Sequence, residues 1–483
     1  MNIANTARIK QIVVRALPIM LFFAALALHT VLAFYMEITV PEPLDNPLHA
    51  PLGEVIYAPA VWMFPAPSFR YAAMLVINGA IVSLIPPIAY KIAEKLKVAN
   101  IWQRLLAAIA AGICPVVIAD TKFIGTQALC FLFPCLIVLI MLNAAQAKGT
   151  VSRYFLTILL SLTIAAAVLA DGRMIALALS SIAAVTLIRL CYKKQSISLF
   201  TFIVSLGVFV VLFEILTLRY QVPQSGMVRL LGYAELPSSL LEISQYLYSF
   251  AVSTWGLGVL GLCLFVKSVS RSSNDVIIKL FAAFVVFSII LSMGTGNAQS
   301  TMPLVLIMTV CGIALYGINL RDILTAIIVL GMIFTVFFTL SIGKAVDTQI
   351  VTVSAVFSLM SLFIVFVCCT ERYKLRIVLG AVGLISLYFC IYTCAILLPA
   401  ERNAAIHRNA PAYEVSELIY NSADAPPVVA PEEIAGLLQF LNREADIRTD
   451  VGQLENYFLI SDDYKVSIVG ERAIMYAASQ QEQ

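Results

Sequence analysis

Charged residues are scarce in this chain of 483 residues, where Asp, Glu, Lys and Arg make up 12% and hydrophobic types 61%. The mean hydropathy is accordingly high, at +0.94. A soluble fold of this length would have too little polar surface to cover its exterior. The composition therefore excludes a soluble globular protein and predicts a polytopic membrane protein.

Three further features of the sequence limit the functions that the protein can have. The net charge is only +3 and the basic residues are scattered along the chain, which argues against a nucleic-acid partner. The sequence has no P-loop and no GxGxxG after a strand, which disfavours a cytoplasmic ATPase. The ten cysteines lie almost all in apolar runs and none follows Ala400, so we expect no disulfide framework and no metal site built from them.

The apolar runs predict about thirteen transmembrane helices, because a helix needs about 20 apolar residues to cross a bilayer. Every cluster of basic residues in the short loops falls on one side if the N-terminus is cytoplasmic and all these spans are real. We therefore expect a multi-pass protein of the cytoplasmic (inner) membrane with its C-terminus outside the cytoplasm. The predicted spans are 13–35, 71–90, 104–119, 126–144, 154–170, 174–190, 198–217, 244–266, 279–294, 301–318, 322–341, 349–369 and 376–398.

The first predicted outer loop, residues 36–70, is rich in acids and prolines. Glu37 lies where the first span ends, whereas Asp45 lies among the prolines of the loop. A carboxylate at a helix end is suited to take a proton from a hydroxyl or to hold a divalent ion beside a phosphate. The alternative is that these acids are solvated loop charges. Within the loop, residues 55–64 predict a helix lying in the headgroup layer.

Three of the predicted outer loops carry four cations between them, against the usual excess of Lys and Arg on the cytoplasmic side. A phosphate-bearing lipid headgroup would account for them, which makes them candidate substrate-binding residues. The alternative is that two of them pair with Asp120 and Asp171, each two residues away. The four are Lys122, Arg173, Arg219 and Arg229.

The composition becomes much more polar after Ala400, which predicts a membrane domain over 1–400 and a small extracytoplasmic α/β domain over 401–483. Residues 430–444 predict an amphipathic helix, with apolar side chains at i, i+3, i+4 and i+7. Residues 464–477 alternate around a Gly-Glu pair and predict a β-hairpin.

Four segments, taken in order, resemble the bacterial C-type (GT-C) glycosyltransferases that use polyprenyl-phosphate sugars. Together with the acidic first outer loop and the C-terminal domain, they give the chain the order of parts of that family. The segments are YAAMLVINGAIVSLIPPIAYKIAEKL (71–96), ADTKFIGTQALCFLFPCLIVLIMLNA (119–144), LADGRMIALALSSIAAV (169–185) and LLEISQYLYSFAVSTWGLGVLGL (240–262).

The resemblance implies an all-α, GT-C-like membrane domain that carries out inverting sugar transfer. The donor would be a polyprenyl-phosphate sugar from the outer leaflet of the lipid bilayer, and the acceptor a cell-envelope glycan, lipid or protein. It assigns Glu37 as the carboxylate that serves as base or metal ligand, with Asp45 as the alternate, and it matches Arg173. No cofactor is certain, and a divalent cation (Mg2+ or Mn2+) is left open.

The sequence departs from the family in two places. Met36-Glu37 replaces the usual pair of adjacent acids, and Thr126-Gln127-Ala128 stands where Ser-Glu-Asn is expected. Two other hypotheses therefore stay open: a non-catalytic relative that binds or scaffolds a lipid glycan, and a transporter or flippase for one. Transporters typically show repeated halves and charges in mid-membrane. This sequence shows no such repeat, and Glu214 lies near the predicted outer end of its span.

Overall fold

The computed structural model describes the protein in a series of segments. These are residues 3–36, 51–64, 67–119, 126–192, 197–219, 250, 253–254, 257–271, 276–294, 298–317, 326, 384, 386–388, 390–419, 425–442 and 445–481.

Sixteen α-helices and four short strands make up most of these segments. The helices are α1 Ile3–Met36, α2 Pro51–Met63, α3 Pro67–Val82, α4 Ile85–Lys95, α5 Ile101–Gly112, α6 Pro115–Ala119, α7 Gln127–Gln146, α8 Thr150–Ala170, α9 Ile175–Tyr192, α10 Leu199–Arg219, α11 Gly258–Arg271, α12 Val276–Gly294, α13 Met302–Tyr316, α14 Leu398–Ile419, α15 Glu432–Leu441 and α16 Glu471–Gln481. The strands are β1 Val428–Val429, β2 Ile447–Arg448, β3 Tyr457–Ile460 and β4 Val466–Val469.

Seven helical segments of the described residues are long and apolar enough to cross a membrane. Two shorter apolar helices, Ile101–Gly112 and Leu199–Phe213, overlap further predicted spans. The predicted spans 322–341 and 349–369 lie outside the described residues apart from residue 326, so the count of about thirteen remains a prediction. The seven segments are Ala16–Met36, Phe69–Lys95, Gln127–Gln146, Thr150–Ala170, Gly172–Cys191, Val276–Met293 and Gln299–Tyr316.

Two of the predicted spans are interrupted at prolines. The run predicted at 71–90 is divided between α3 and α4, and Pro86 lies in the first turn of α4. The run predicted at 104–119 is divided in the same way, because Pro115 begins α6. Proline has no N–H to donate within a helix but fits the first helical positions, which explains why a new helix begins at each.

The described chain divides into two compact units, and the first contains most of the apolar helices. It comprises Met1–Leu26, Val82–Ile118 and Leu129–Ala395. Within it α9 packs on α12, α8 on α10, α4 on α5, and α13 on both α5 and α11. A side chain at Gly261 would place its Cβ 2.1 Å from Thr309 Oγ1, so the glycine permits the close approach of α11 and α13.

The second unit comprises Ala27–Ile81, Ala119–Ala128 and Ile396–Gln483. Its four-stranded sheet has the order β2-β1-β3-β4, with β1 parallel to both neighbours and β3 antiparallel to β4. One buried hydrophobic cluster joins the C-terminal helices and strands to α1, α2 and α3. Ala33, Tyr57 and Met74 enter this cluster beside Leu438 and Phe458.

The structure confirms the predicted helix at 430–444, which extends over Glu432–Leu441. All four positions of its apolar stripe are buried. The hairpin predicted at 464–477 is wrong, because only its first half is a strand (β4) and its second half is helix α16. The strand that pairs with β4 is β3.

The reversal at the end of β4 explains this error. Gly470 has φ +91, and the N–H of Arg472 donates to Asn456 Oδ1 at 3.0 Å, so the backbone turns into a helix there instead of a second strand. The apolar residues beyond the turn include Ala473 and Ala477, which are both buried and four residues apart. That spacing is helical, although over a short segment it also passes for strand alternation.

Candidate functional site

The turn between α8 and α9 carries the one candidate cation whose side chain the structure describes. Asp171 is extended (φ −152, ψ 121) and precedes a 3-10 turn at Gly172–Met174. Its Oδ1 accepts the backbone N–H of Arg173 at 2.8 Å. An aspartate before a helical turn favours this arrangement, because its side chain satisfies a backbone donor that has no partner within the turn.

Asp171 and Arg173 also form an ion pair through their side chains. Arg173 Nε lies 3.1 Å from both carboxylate oxygens, and Nη2 lies 2.8 Å from Oδ2. The aspartate side chain is 9% exposed and the arginine side chain 37% exposed. The pairing of Arg173 with Asp171, which the sequence left open, is therefore present. Phosphate binding by the exposed part of Arg173 stays a prediction.

The same turn also makes a contact with α7. The thiol of Cys130 donates to Asp171 Oδ2, with the sulfur 3.7 Å from the oxygen. This contact brings together two of the segments that resemble the GT-C family, 119–144 and 169–185.

The end of α1 meets a residue that the sequence did not single out. Arg402, in the first turns of α14, donates from Nε to the carbonyl oxygen of Tyr35 at 2.8 Å. Its guanidinium carbon also lies 4.8 Å from the centroid of the Tyr35 ring. Glu37 follows Tyr35 by two residues. No local pattern could have predicted this pairing, because the two residues are 367 positions apart.

Helix α2 belongs to the predicted first outer loop and is bound to α3 by a buried hydrogen bond. The hydroxyl of Tyr57 donates to Asn78 Oδ1 at 2.5 Å. Both side chains are buried, whereas Trp62 and Met63 near the end of α2 are 81% and 70% exposed. The predicted helix at 55–64 is thus present as the larger part of α2, and its placement in the headgroup layer remains a prediction.

The structure describes none of the side chains of the remaining candidate site residues. Glu37, Asp45, Lys122 and Arg229 lie outside the described residues. Arg219 is the last residue of α10, and only its backbone is described. Their roles stay predictions.

A divalent cation finds no ligand set in the described part of the chain. No group of three or more His, Cys, Asp and Glu side chains is placed there to hold a metal ion. The carboxylate of Asp171, which could serve as one ligand, is already paired with Arg173. The divalent cation that the resemblance left open stays a prediction, because Glu37 and Asp45 lie outside the described residues, and no step below depends on one.

We expect Arg173→Ala to weaken the binding of a polyprenyl phosphate about tenfold, because a hydrogen bond to a charged group is worth about 1.5–3 kcal/mol. Arg448→Ala is the matched control. It removes the same Asp-x-Arg pair from an exposed position in the C-terminal domain, where Arg448 Nη2 lies 2.7 Å from Asp446 Oδ2. Binding of radiolabelled lipid to the purified variants measures the difference. Equal effects of the two variants would show that Arg173 has no special role.

Comparisons with known proteins bear on the fold. No protein-family model matches the sequence, and no curated protein matches it. ArnT from Cupriavidus metallidurans bound to undecaprenyl phosphate matches with a TM-score of 0.55 and 13% identity, over 96% of this chain and 88% of that one. Apo ArnT from the same organism gives 0.54 and 13%, over 95% and 94%. ArnT is a GT-C membrane glycosyltransferase.

The chain has the GT-C fold. A third match, the apo oligosaccharyltransferase of Archaeoglobus fulgidus, has a TM-score of 0.47 and 11% identity over 88% of this chain and 64% of that one. The seven apolar segments of the described residues and the GT-C fold together make this a multi-pass membrane protein of all-α type, with a small C-terminal sheet.

Proposed function

We propose that this protein transfers a sugar from a polyprenyl-phosphate donor to a cell-envelope acceptor on the outer face of the cytoplasmic membrane. The observation that carries the proposal is the likeness, over 96% of this chain, to ArnT bound to undecaprenyl phosphate. The apolar helices support a lipid-borne donor, which can reach a site from within the bilayer. The one-sided distribution of basic loop residues supports the placement of the reaction outside the cytoplasm.

The proposed reaction is an inverting displacement at the anomeric carbon of the sugar. Glu37, or Asp45 in its place, takes the proton of the acceptor hydroxyl, and the hydroxyl oxygen bonds to the anomeric carbon. The bond from that carbon to the phosphate oxygen breaks, and its electron pair leaves with the polyprenyl phosphate. Cations stabilise the charge that develops on the leaving phosphate. The candidates for this role are Lys122, Arg173, Arg219 and Arg229.

The test is a transfer assay in membranes of the source organism from which the gene has been deleted. Purified full-length protein and radiolabelled undecaprenyl-phosphate sugars are added, and release of undecaprenyl phosphate is followed together with label in the envelope fraction. We expect both to rise together for at least one sugar. Label that crosses sealed vesicles without release of the lipid phosphate would favour a flippase. Donor binding without transfer for every sugar would favour a scaffold.

A further inference from the structure

The guanidinium of Arg402 makes two contacts with Tyr35 at the end of α1. Its Nε donates to the carbonyl oxygen of Tyr35, and its guanidinium carbon lies over the ring of Tyr35, 4.8 Å from the centroid. No other hydrogen bond or ion pair of Arg402 falls within the described part of the chain. The orientation of the guanidinium is thus restricted, while Nη1 and Nη2 remain able to donate to a ligand.

A structural role accounts for only part of this arrangement. A cation at the C-terminal end of a helix is favourable, because the last carbonyl groups carry partial negative charge and lack partners within the helix. The Nε–Tyr35 hydrogen bond fulfils that role. It does not involve the two Nη groups, and a planar pair of N–H donors is the geometry that binds phosphate oxygens two at a time.

We propose that Arg402 binds the phosphate group of the polyprenyl-phosphate donor at the end of α1. The inference rests on the proposed function, because it takes Glu37 as the base. Glu37 follows Tyr35 by two residues, and two residues of backbone span at most about 7 Å. In an inverting displacement, the acceptor hydroxyl with its base lies on one side of the anomeric carbon, and the leaving phosphate lies on the other. A cation held at the helix end that precedes the base is therefore well placed to neutralise the leaving group.

The test measures binding of undecaprenyl phosphate without sugar to the full-length protein in phosphatidylcholine nanodiscs. The variants are Arg402→Gln, Arg402→Lys and the control Arg448→Gln, which alters an exposed arginine of the same domain. We expect Arg402→Gln to raise the dissociation constant about tenfold and Arg402→Lys about threefold, since lysine keeps the charge but lacks the planar pair of donors. Arg448→Gln should bind as the wild type does. Excess phosphatidylglycerol distinguishes a specific site from general contact with anionic headgroups and should not compete.

Binding by Arg402→Gln within twofold of the wild type would overturn the inference and leave Arg402 as a helix cap only. Competition by phosphatidylglycerol for the Arg402-dependent binding would overturn it as well. Should Arg402→Gln fail to fold, Arg402→Lys decides, and unchanged binding by that variant counts against the inference. Because the ligand carries no sugar, the measurement does not require transfer. A wild type that transfers sugar while Arg402 has no effect on binding would refute only this inference.

Discussion

Replacement of Glu37 by glutamine is expected to lower sugar transfer by about 100-fold or more, because glutamine keeps the shape of the side chain but cannot accept the proton of the acceptor hydroxyl. The proposed base must lie about 3 Å from that proton, and Glu37 is the acid that directly follows α1. Donor binding should be retained, since the lost group acts on the acceptor. The initial rate of transfer measures the effect on catalysis, and the dissociation constant of undecaprenyl phosphate measures the effect on donor binding.

Glu54→Gln is the matched control, because Glu54 lies in the same predicted outer loop but on α2. It should leave the rate of transfer unchanged. Full activity of Glu37→Gln, combined with loss of activity in Asp45→Asn, would assign the base to Asp45. If neither acid affects transfer by a protein that transfers sugar, neither of them is the base.

The membrane helices could be predicted from the sequence because their signal is local. A run such as Gln127–Gln146 is apolar along its whole length, and no tertiary contact is needed to recognise it. The positions of helix breaks within such runs are less predictable, because Pro86 and Pro115 each lie at the beginning of a new helix whereas Pro134 lies inside Gln127–Gln146. The C-terminal helix α15 was predictable from a local signal as well, because its apolar stripe has a clear helical period.

The site was less predictable because its contacts join distant parts of the chain. Asp171 and Arg173 are two residues apart, so their pairing could be weighed from the sequence, but the contact of Asp171 with Cys130 could not. Arg402 carried no signal of its own, since it stands at the beginning of a polar segment that contains many charged residues. Its relation to Tyr35 depends on the packing of the C-terminal segment against the end of α1, which lies within the same compact unit.

Phe458→Ala is expected to destabilise the second unit by about 3–5 kcal/mol, because it removes a fully buried ring from the hydrophobic cluster and leaves a cavity. Phe458 lies in β3, and its ring makes an edge-to-face contact with Tyr476 at 6.3 Å between centroids. The cluster also contains Tyr57 of α2. Loss of the ring should therefore increase hydrogen exchange in α2 as well as in the sheet.

Ile468→Ala is the matched control, because Ile468 is the cross-strand partner of Phe458 in β4 but is 38% exposed. Substitution at an exposed position typically changes stability by no more than about 0.5 kcal/mol. Thermal unfolding measures the stability of both variants, and hydrogen exchange followed by mass spectrometry reports on α2. Faster exchange in the sheet with unchanged exchange in α2 would show that the C-terminal strands unfold independently of the first outer loop. Faster exchange in both would show that one cooperative unit joins the C-terminal domain to α2, the helix of the loop in which Glu37 and Asp45 lie.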